Sequence, residues 1–221
     1  LMTSNALSAI CGVSLLALCV TGAAAQQPLK VGLVSVLSGP QAALGAQLRD
    51  GFLLAVKDRG GKLGGRPVEV VIIDDELKPD VAVTKVRTML ERDKVDFVVG
   101  PVFSNILQAI HKPVVESGTI LISPNAGTSN FAGKQCHENF FVTSYQNDQS
   151  HEVLGKYAQD KGYKRAYIMA PNYQAGKDSL AGFKRHFKGE IVDEVYTQLG
   201  QLDFSAELAK IAAAKPDVYF V

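Results

Sequence analysis

The sequence predicts an α/β protein built as doubly wound lobes, and three features lead there. From Leu29 onward, short β-rich runs alternate with amphipathic segments of helix length. Several runs (VEVVII, VDFVV, TILI) are almost continuously apolar, as strands are when both faces of a parallel sheet are covered. Successive runs start roughly 20–40 residues apart, which leaves room for one right-handed helical crossover between parallel strands.

Taken in order, strands are expected at 30–36, 68–73, 95–99, 120–123, 140–143, 165–170, 191–196 and 218–221. Helices are expected between them at 46–59, 79–91, 106–117, 149–161, 179–187 and 205–214. After the first helix, Gly60-Gly61 and Gly64-Gly65 surround Lys62-Leu63 and read as a turn-rich link or small hairpin. Lys78-Pro79-Asp80 starts the second helix, with Pro at the first helical position and an acid in the first turn. Asp148 and Asp203 stand where N-caps belong, and Pro216 stops the last helix. The polar stretch TSYQNDQS separates two sets of βα units and reads as a crossing between lobes. The expected organisation is an N-terminal lobe over 26–143, a hinge crossing at 144–150 and a partial second lobe over 151–221.

Composition narrows the function. The chain has 221 residues, 47% hydrophobic, and a formal net charge of +1. It is too apolar to be disordered, and its charge balance gives no electrostatic reason for a nucleic-acid partner. Three cysteines cannot make a disulfide scaffold. Residues 1–25 carry no Asp, Glu, Lys or Arg, and the apolar run ICGVSLLALCV is followed by Ala23, Ala24 and Ala25. That is the pattern of a secretory signal cleaved after Ala25, although the usual basic start is missing and the chain begins Leu-Met. A membrane anchor is the alternative, but the run is shorter than the ~20 residues a span needs. Lipid attachment at Cys19 is disfavoured by Leu18, because that chemistry wants a small residue there. Only Cys136 remains after cleavage, as a buried free thiol or with a partner outside this sequence.

Ligands of open α/β sheets bind beyond the carboxyl ends of the strands. The loops there are rich in Gly, Pro, Ser, Asn and Thr: LSGP after the first strand, GPVFSN after the third, PNAGTSN after the fourth and PNYQAG after RAYIMA. Ser104 and Asn105 precede a predicted helix, whose free N–H groups and hydroxyl could hold a carboxylate without Lys or Arg. Asn125 to Thr128 could act likewise. Each loop alone is equally a cap or a turn. No G-x-G-x-x-G, P-loop or G-x-S-x-G pattern occurs. His111, His137, His151 and His186 lack metal-ligand spacing and read as surface or helix-end residues. Asp74-Asp75-Glu76 could hold a divalent cation or simply cap the helix at Pro79. No cofactor, metal or catalytic constellation is expected.

The segments KVGLVSVLSGPQAALG, RPVEVVIIDDELKPDVAVTKVRTMLERDKVDFVVGPVFSN, ILISPNAGTSN, PNYQAGKDSLAGFKRHFKGEIV and LGQLDFSAELAKIAAAKPDVYFV together resemble the periplasmic substrate-binding proteins of branched-chain amino-acid-type ABC transporters. The resemblance implies a type I periplasmic-binding fold, with two α/β lobes that close on a small ligand, and a non-enzymatic protein. Its implied partners are a branched-chain amino acid or a related amino or aromatic acid, and the membrane permease of an importer; a monomer is expected. Position by position, it implies that Ser104 offers a hydroxyl to the ligand carboxylate. Asn125, Ala126, Gly127 and Thr128 would complete that site, and Tyr173 to Gly176, Ala175 included, would face the ligand from the second lobe. Leu44 and Ala175 stand where amino-acid binders often carry aromatic residues, which suits a bulkier apolar ligand together with Phe103. The resemblance also implies an ammonium-binding acid beyond Val221 and a chain return that completes the first lobe, so the 221 residues read as a truncated protein that binds weakly. A ligand-sensing domain of a receptor or regulator is the alternative from another class.

Overall fold

The computed structural model describes residues 26–221, so the expected export segment 1–25 lies outside the described residues. Strand β1 (Leu29–Ser35) is the centre of the first sheet. It pairs in parallel with β3 (Arg66–Asp74) on one edge and β4 (Phe97–Val99) on the other. The sheet continues in parallel through β5 (Ile120–Ser123) to β6 (Phe140–Val142). The two residues β2 (Lys62–Leu63) pair antiparallel with β3, so the glycine-flanked link is the small hairpin. The order is β2-β3-β1-β4-β5-β6.

Helices cover both faces of this sheet. Helix α1 (Ala42–Asp58) lays Leu48 and Phe52 on the face carrying Val31 and Leu33. On the opposite face lie α2 (Pro79–Thr88), which runs on as a π-turn over Met89–Asp93, and α3 (Ser104–Glu116). There Val86, Met89, Ile106 and Ile110 pack on Val34, Val98 and Leu121, all but fully buried. Alternation of side chains along β1 puts residues 31 and 33 on one face and 34 and 36 on the other. Beyond α1, an apolar groove of about 580 Å³ stays open over β4 and β5, walled by Phe52, Val99 and Val102.

The second lobe holds three parallel strands in the order β8 (Glu190–Thr197), β7 (Arg165–Pro171), β9 (Val218–Phe220). Helices α4 (Gln149–Asp160) and α5 (Gln174–His186) bury Ala158, Leu180 and Phe183 on one face against Ala166, Ile168 and Phe220. Helix α6 (Ser205–Ala214) buries none of its residues.

Two helices begin four to five residues before their expected starts, at Ala42 rather than 46 and at Gln174 rather than 179. The cause is the same in both. Gly45 and Gly176 look like loop glycines but lie in the first helical turn, pressed on the strand that feeds it. A Cβ on Gly45 would meet the Val36 carbonyl oxygen at 1.6 Å, and one on Gly176 the Pro171 oxygen at 1.9 Å. Two side chains also differ from expectation. His111 is buried, stacked on Phe131 with ring centroids 3.8 Å apart, and burial pushes its imidazole below the usual value. Cys136 is exposed rather than buried.

Gly45→Ala is therefore expected to destabilise the protein by about 2 kcal/mol or more, since the methyl group meets backbone that cannot rotate away. Equilibrium urea unfolding should show a lower midpoint at constant slope; an unchanged midpoint would contradict the close seating of α1 on β1.

Candidate ligand-binding site

The carboxyl ends of β4, β5 and β7 deliver three loops to the junction of the lobes. The chain leaves β4 through Gly100 to Phe103 and enters α3 at Ser104. Ser104 and Asn105 are therefore the first two helical residues rather than residues before the helix, and Ser104 is only 2% exposed. Beyond β5, Ser123 donates its hydroxyl to the Ala126 carbonyl at 2.6 Å, which closes the loop on itself. Asn125 Nδ2 donates to the Val102 carbonyl at 2.8 Å and ties this loop to the one before α3. From the second lobe, Tyr173 stands just ahead of α5, with its ring 6.1 Å from that of Phe103.

These loops enclose a cavity of about 180 Å³. Five of the expected residues line it: Ser104, Asn125, Ala126, Tyr173 and Ala175. Gly127 and Thr128 line an adjoining recess of about 270 Å³ beside Phe131 and Phe140. The Gly127 N–H is already given to Asn147 Oδ1 at 3.2 Å, whereas the buried Thr128 hydroxyl has no partner among the described residues. Asn105 is half-buried behind Ser104, with its Oδ1 likewise unpartnered. Leu44 lines the open groove next door, which shares Val102 and Asn125 with the cavity.

Besides Val102 from the loop before α3, the cavity is also lined by Tyr145, Asn147 and His151, none of which the sequence marks as a site residue. These three come from the crossing and the first turn of α4. The signal lies in the polar stretch TSYQNDQS, since a pocket between two lobes is walled by whatever joins them. Asp148 does not cap α4 with its side chain but accepts from Arg185 Nη2 at 2.7 Å, bracing α4 against α5. Asp203 does act as an N-terminal bracket, accepting both the N–H and the hydroxyl of Ser205.

Electrostatically the cavity is neutral. Burial pushes the His151 imidazole down, opposed by the charge of Asp148. Burial, aided by neighbouring Tyr145, raises the Tyr173 phenol. Near pH 7 both therefore act as uncharged hydrogen-bonding groups. Among the donors able to meet an anion are the Ser104 hydroxyl and the first turn of α3, where the leading backbone N–H groups lack intrahelical partners.

Comparison with known proteins places this geometry. Residues 28–221 match the family described as Periplasmic binding protein. The chain belongs to that family. The Leu/Ile/Val-binding protein BraC3 of Rhizobium johnstonii is 30% identical over 204 residues, covering 89% of this chain and 54% of its own length. An R. palustris ABC-transporter solute-binding protein, solved in complex with benzoate, is 36% identical with a TM-score of 0.82; the match covers 88% of this chain and 55% of that one. The branched-chain amino acid transporter substrate-binding protein LivJ of Streptococcus pneumoniae, in complex with isoleucine, is 27% identical with a TM-score of 0.76, covering 88% and 57%. The chain thus spans about half the length of the family members it matches, and it carries the expected type I periplasmic-binding architecture.

The acidic run that ends β3 braces the loop that follows it. Asp74 Oδ1 accepts from the N–H groups of Leu37 and Glu76 at 2.8 and 2.9 Å, and Asp75 Oδ1 from Leu77 at 2.8 Å. Glu76 pairs with Lys78 and Lys85. These bonds brace Glu76 and Leu77, both left-handed, with φ of 54° and 55°. Among the described residues no group of three potential metal ligands occurs. Burial pushes the Asp75 carboxyl up to about 6, against the Leu77 N–H and with the help of the Asp74 charge. A carboxyl raised on folding binds its proton more tightly in the native state. Its contribution to stability is complete below the unfolded value near 4 and is lost as pH rises through about 6. Asp75→Asn should accordingly flatten the fall in stability between pH 4 and 7, by up to ~3 kcal/mol. Urea titrations at a series of pH values test this; an identical pH dependence in both proteins would refute it.

Proposed function

We propose that this chain is the solute-capturing portion of an exported, periplasmic binding protein of an ABC importer, and that its solute is a small carboxylate, an aromatic acid of the benzoate type. The observation that carries the reading is the cavity between the lobes. At one end it offers a buried hydroxyl, Ser104, on the first turn of α3. Around it stand Val102, Ala126, Ala175 and the rings of Tyr145 and Tyr173. A carboxylate would lie against the hydroxyl and the helix terminus, and a flat apolar body against the rings. The small side chain of Ala175 and the groove leading toward Leu44 favour a ring over a branched aliphatic chain. The similarity to the benzoate complex supports the same choice.

In this reading 26–143 forms one jaw, 151–221 belongs to the other, and 144–150 is a strand of the hinge. Asn105 and Thr128 serve as reserve donors at the edge of the carboxylate site, engaged when the jaws close, while Gly127 keeps its N–H on Asn147. Closure excludes water and strengthens each polar contact, so a neutral donor set suffices for an anion. Release to the membrane permease follows reopening. The role is binding without chemistry.

Isothermal titration of the full-length protein tests the reading. Benzoate or 4-hydroxybenzoate should bind, and Ser104→Ala should weaken the binding about tenfold, the cost of one hydrogen bond to a charged group. Tight binding of leucine with no response to either benzoate would overturn the aromatic assignment, and no binding of any of the three would overturn the carboxylate reading itself.

A further inference from the structure

The Ser104 hydroxyl can meet a carboxylate only if its proton, not its lone pairs, faces the cavity. We infer that Asn147, in the crossing between the lobes, is the positioning residue that sets this direction. The inference rests on the carboxylate-binding reading above.

The Asn147 side chain is fully committed. Its Oδ1 accepts from the Gly127 N–H at 3.2 Å. Its two Nδ2 hydrogens go to Asp178 Oδ2 at 2.9 Å and to Ser104 Oγ at 3.0 Å. The opposite amide orientation would set Oδ1 against the Asp178 carboxylate and Nδ2 against an N–H, so the partners fix which atom is which. An amide NH2 only donates. Ser104 Oγ must therefore be the acceptor in that bond, which leaves its own O–H unspent. Among the described residues nothing accepts it, and the cavity is the space beside it. The backbone holds Asn147 in place as well, through its N–H to the Gly127 carbonyl at 2.7 Å.

Asp178 fixes the other end. This buried acid lies on α5, in the second lobe. It also accepts from the Ser129 N–H of the first lobe at 3.2 Å and from Gln174 Nε2 at 2.8 Å. The direction of the Ser104 hydroxyl thus depends on α5 being docked, and through Asp178 the second lobe acts on the carboxylate site from behind it.

The test is the cost of Ser104→Ala for benzoate binding, measured by titration calorimetry of the full-length protein in three backgrounds. In the otherwise wild-type protein it should be about tenfold. With Asn147→Ala it should fall to a few-fold, because the hydroxyl can still donate to the carboxylate but is no longer held toward it. With Asn147→Asp, which keeps the shape, it should vanish, because a carboxylate accepts the Ser104 proton and turns it from the cavity. Thermal melts show which variants fold, and either Asn147 variant stands in if the other does not. A full tenfold cost in any folded Asn147 variant overturns the inference and leaves the carboxylate reading intact. If the wild-type protein binds neither benzoate nor leucine, or binds with no cost from Ser104→Ala, the underlying reading fails and the inference with it.

Discussion

The amide of Asn147 and the carboxylate of Asp178 meet at the junction of the lobes, and the geometry of the site depends on that contact. Asp178 is 6% exposed, and its partners are amide and N–H donors rather than a cation. A buried carboxylate is costly unless its lone pairs are met. Its three donors come from the first lobe (Ser129), the crossing (Asn147) and its own helix (Gln174). Sliding the lobes apart at this point strips donors from a buried charge, so the contact sets where α5 can stand against the loop after β5. Helix α4 is drawn into the same frame by Arg185, which reaches Asp148 and Glu152.

From that frame the rest of the site follows. Parallel strands send all their carboxyl ends to one edge of a sheet, so every loop between a strand and its helix opens at the same place. Two such edges face each other across the crossing. The loops are short because each helix begins almost at once: α3 starts on Ser104, and α5 starts directly after Tyr173. Gly45 and Gly176 permit the same economy at α1 and α5, where a side chain would collide with the strand end. The outcome is a pocket lined by helix termini and hydroxyls, in which a nearly neutral protein can offer a place to an anion.

The acidic run Asp74-Asp75-Glu76 shows the limit of reading chemistry from residue types. Three adjacent acids at a strand end have the composition of a cation site. Their oxygens are instead spent on the N–H groups of the loop that they hold in a left-handed turn, and on two lysines. No arrangement of these letters in a row reveals that. It follows from the position of Leu37, which arrives from the neighbouring loop after β1.

Alternating apolar runs and amphipathic segments are enough to read eight of the nine strands, the parallel pairing and both sets of βα units, because each is fixed by short-range periodicity and by the need to bury two sheet faces; the glycine-flanked Lys62-Leu63 stays open between a turn-rich link and a hairpin until its pairing with β3 is seen. The loops that meet at the cavity were legible too, since strand direction alone dictates where they emerge. Ser104 and Asn125 can therefore be named from their distance to a strand end, and Tyr173 from the resemblance carried by PNYQAG. Asn147, Asp178 and the buried stack of His111 cannot. Their roles arise from partners 20 to 49 positions away, such as Gly127 for Asn147, Ser129 for Asp178 and Phe131 for His111. What distinguishes a solvated polar residue from a buried one is which distant group lies opposite it, and only the packing of the elements within and between the lobes decides that.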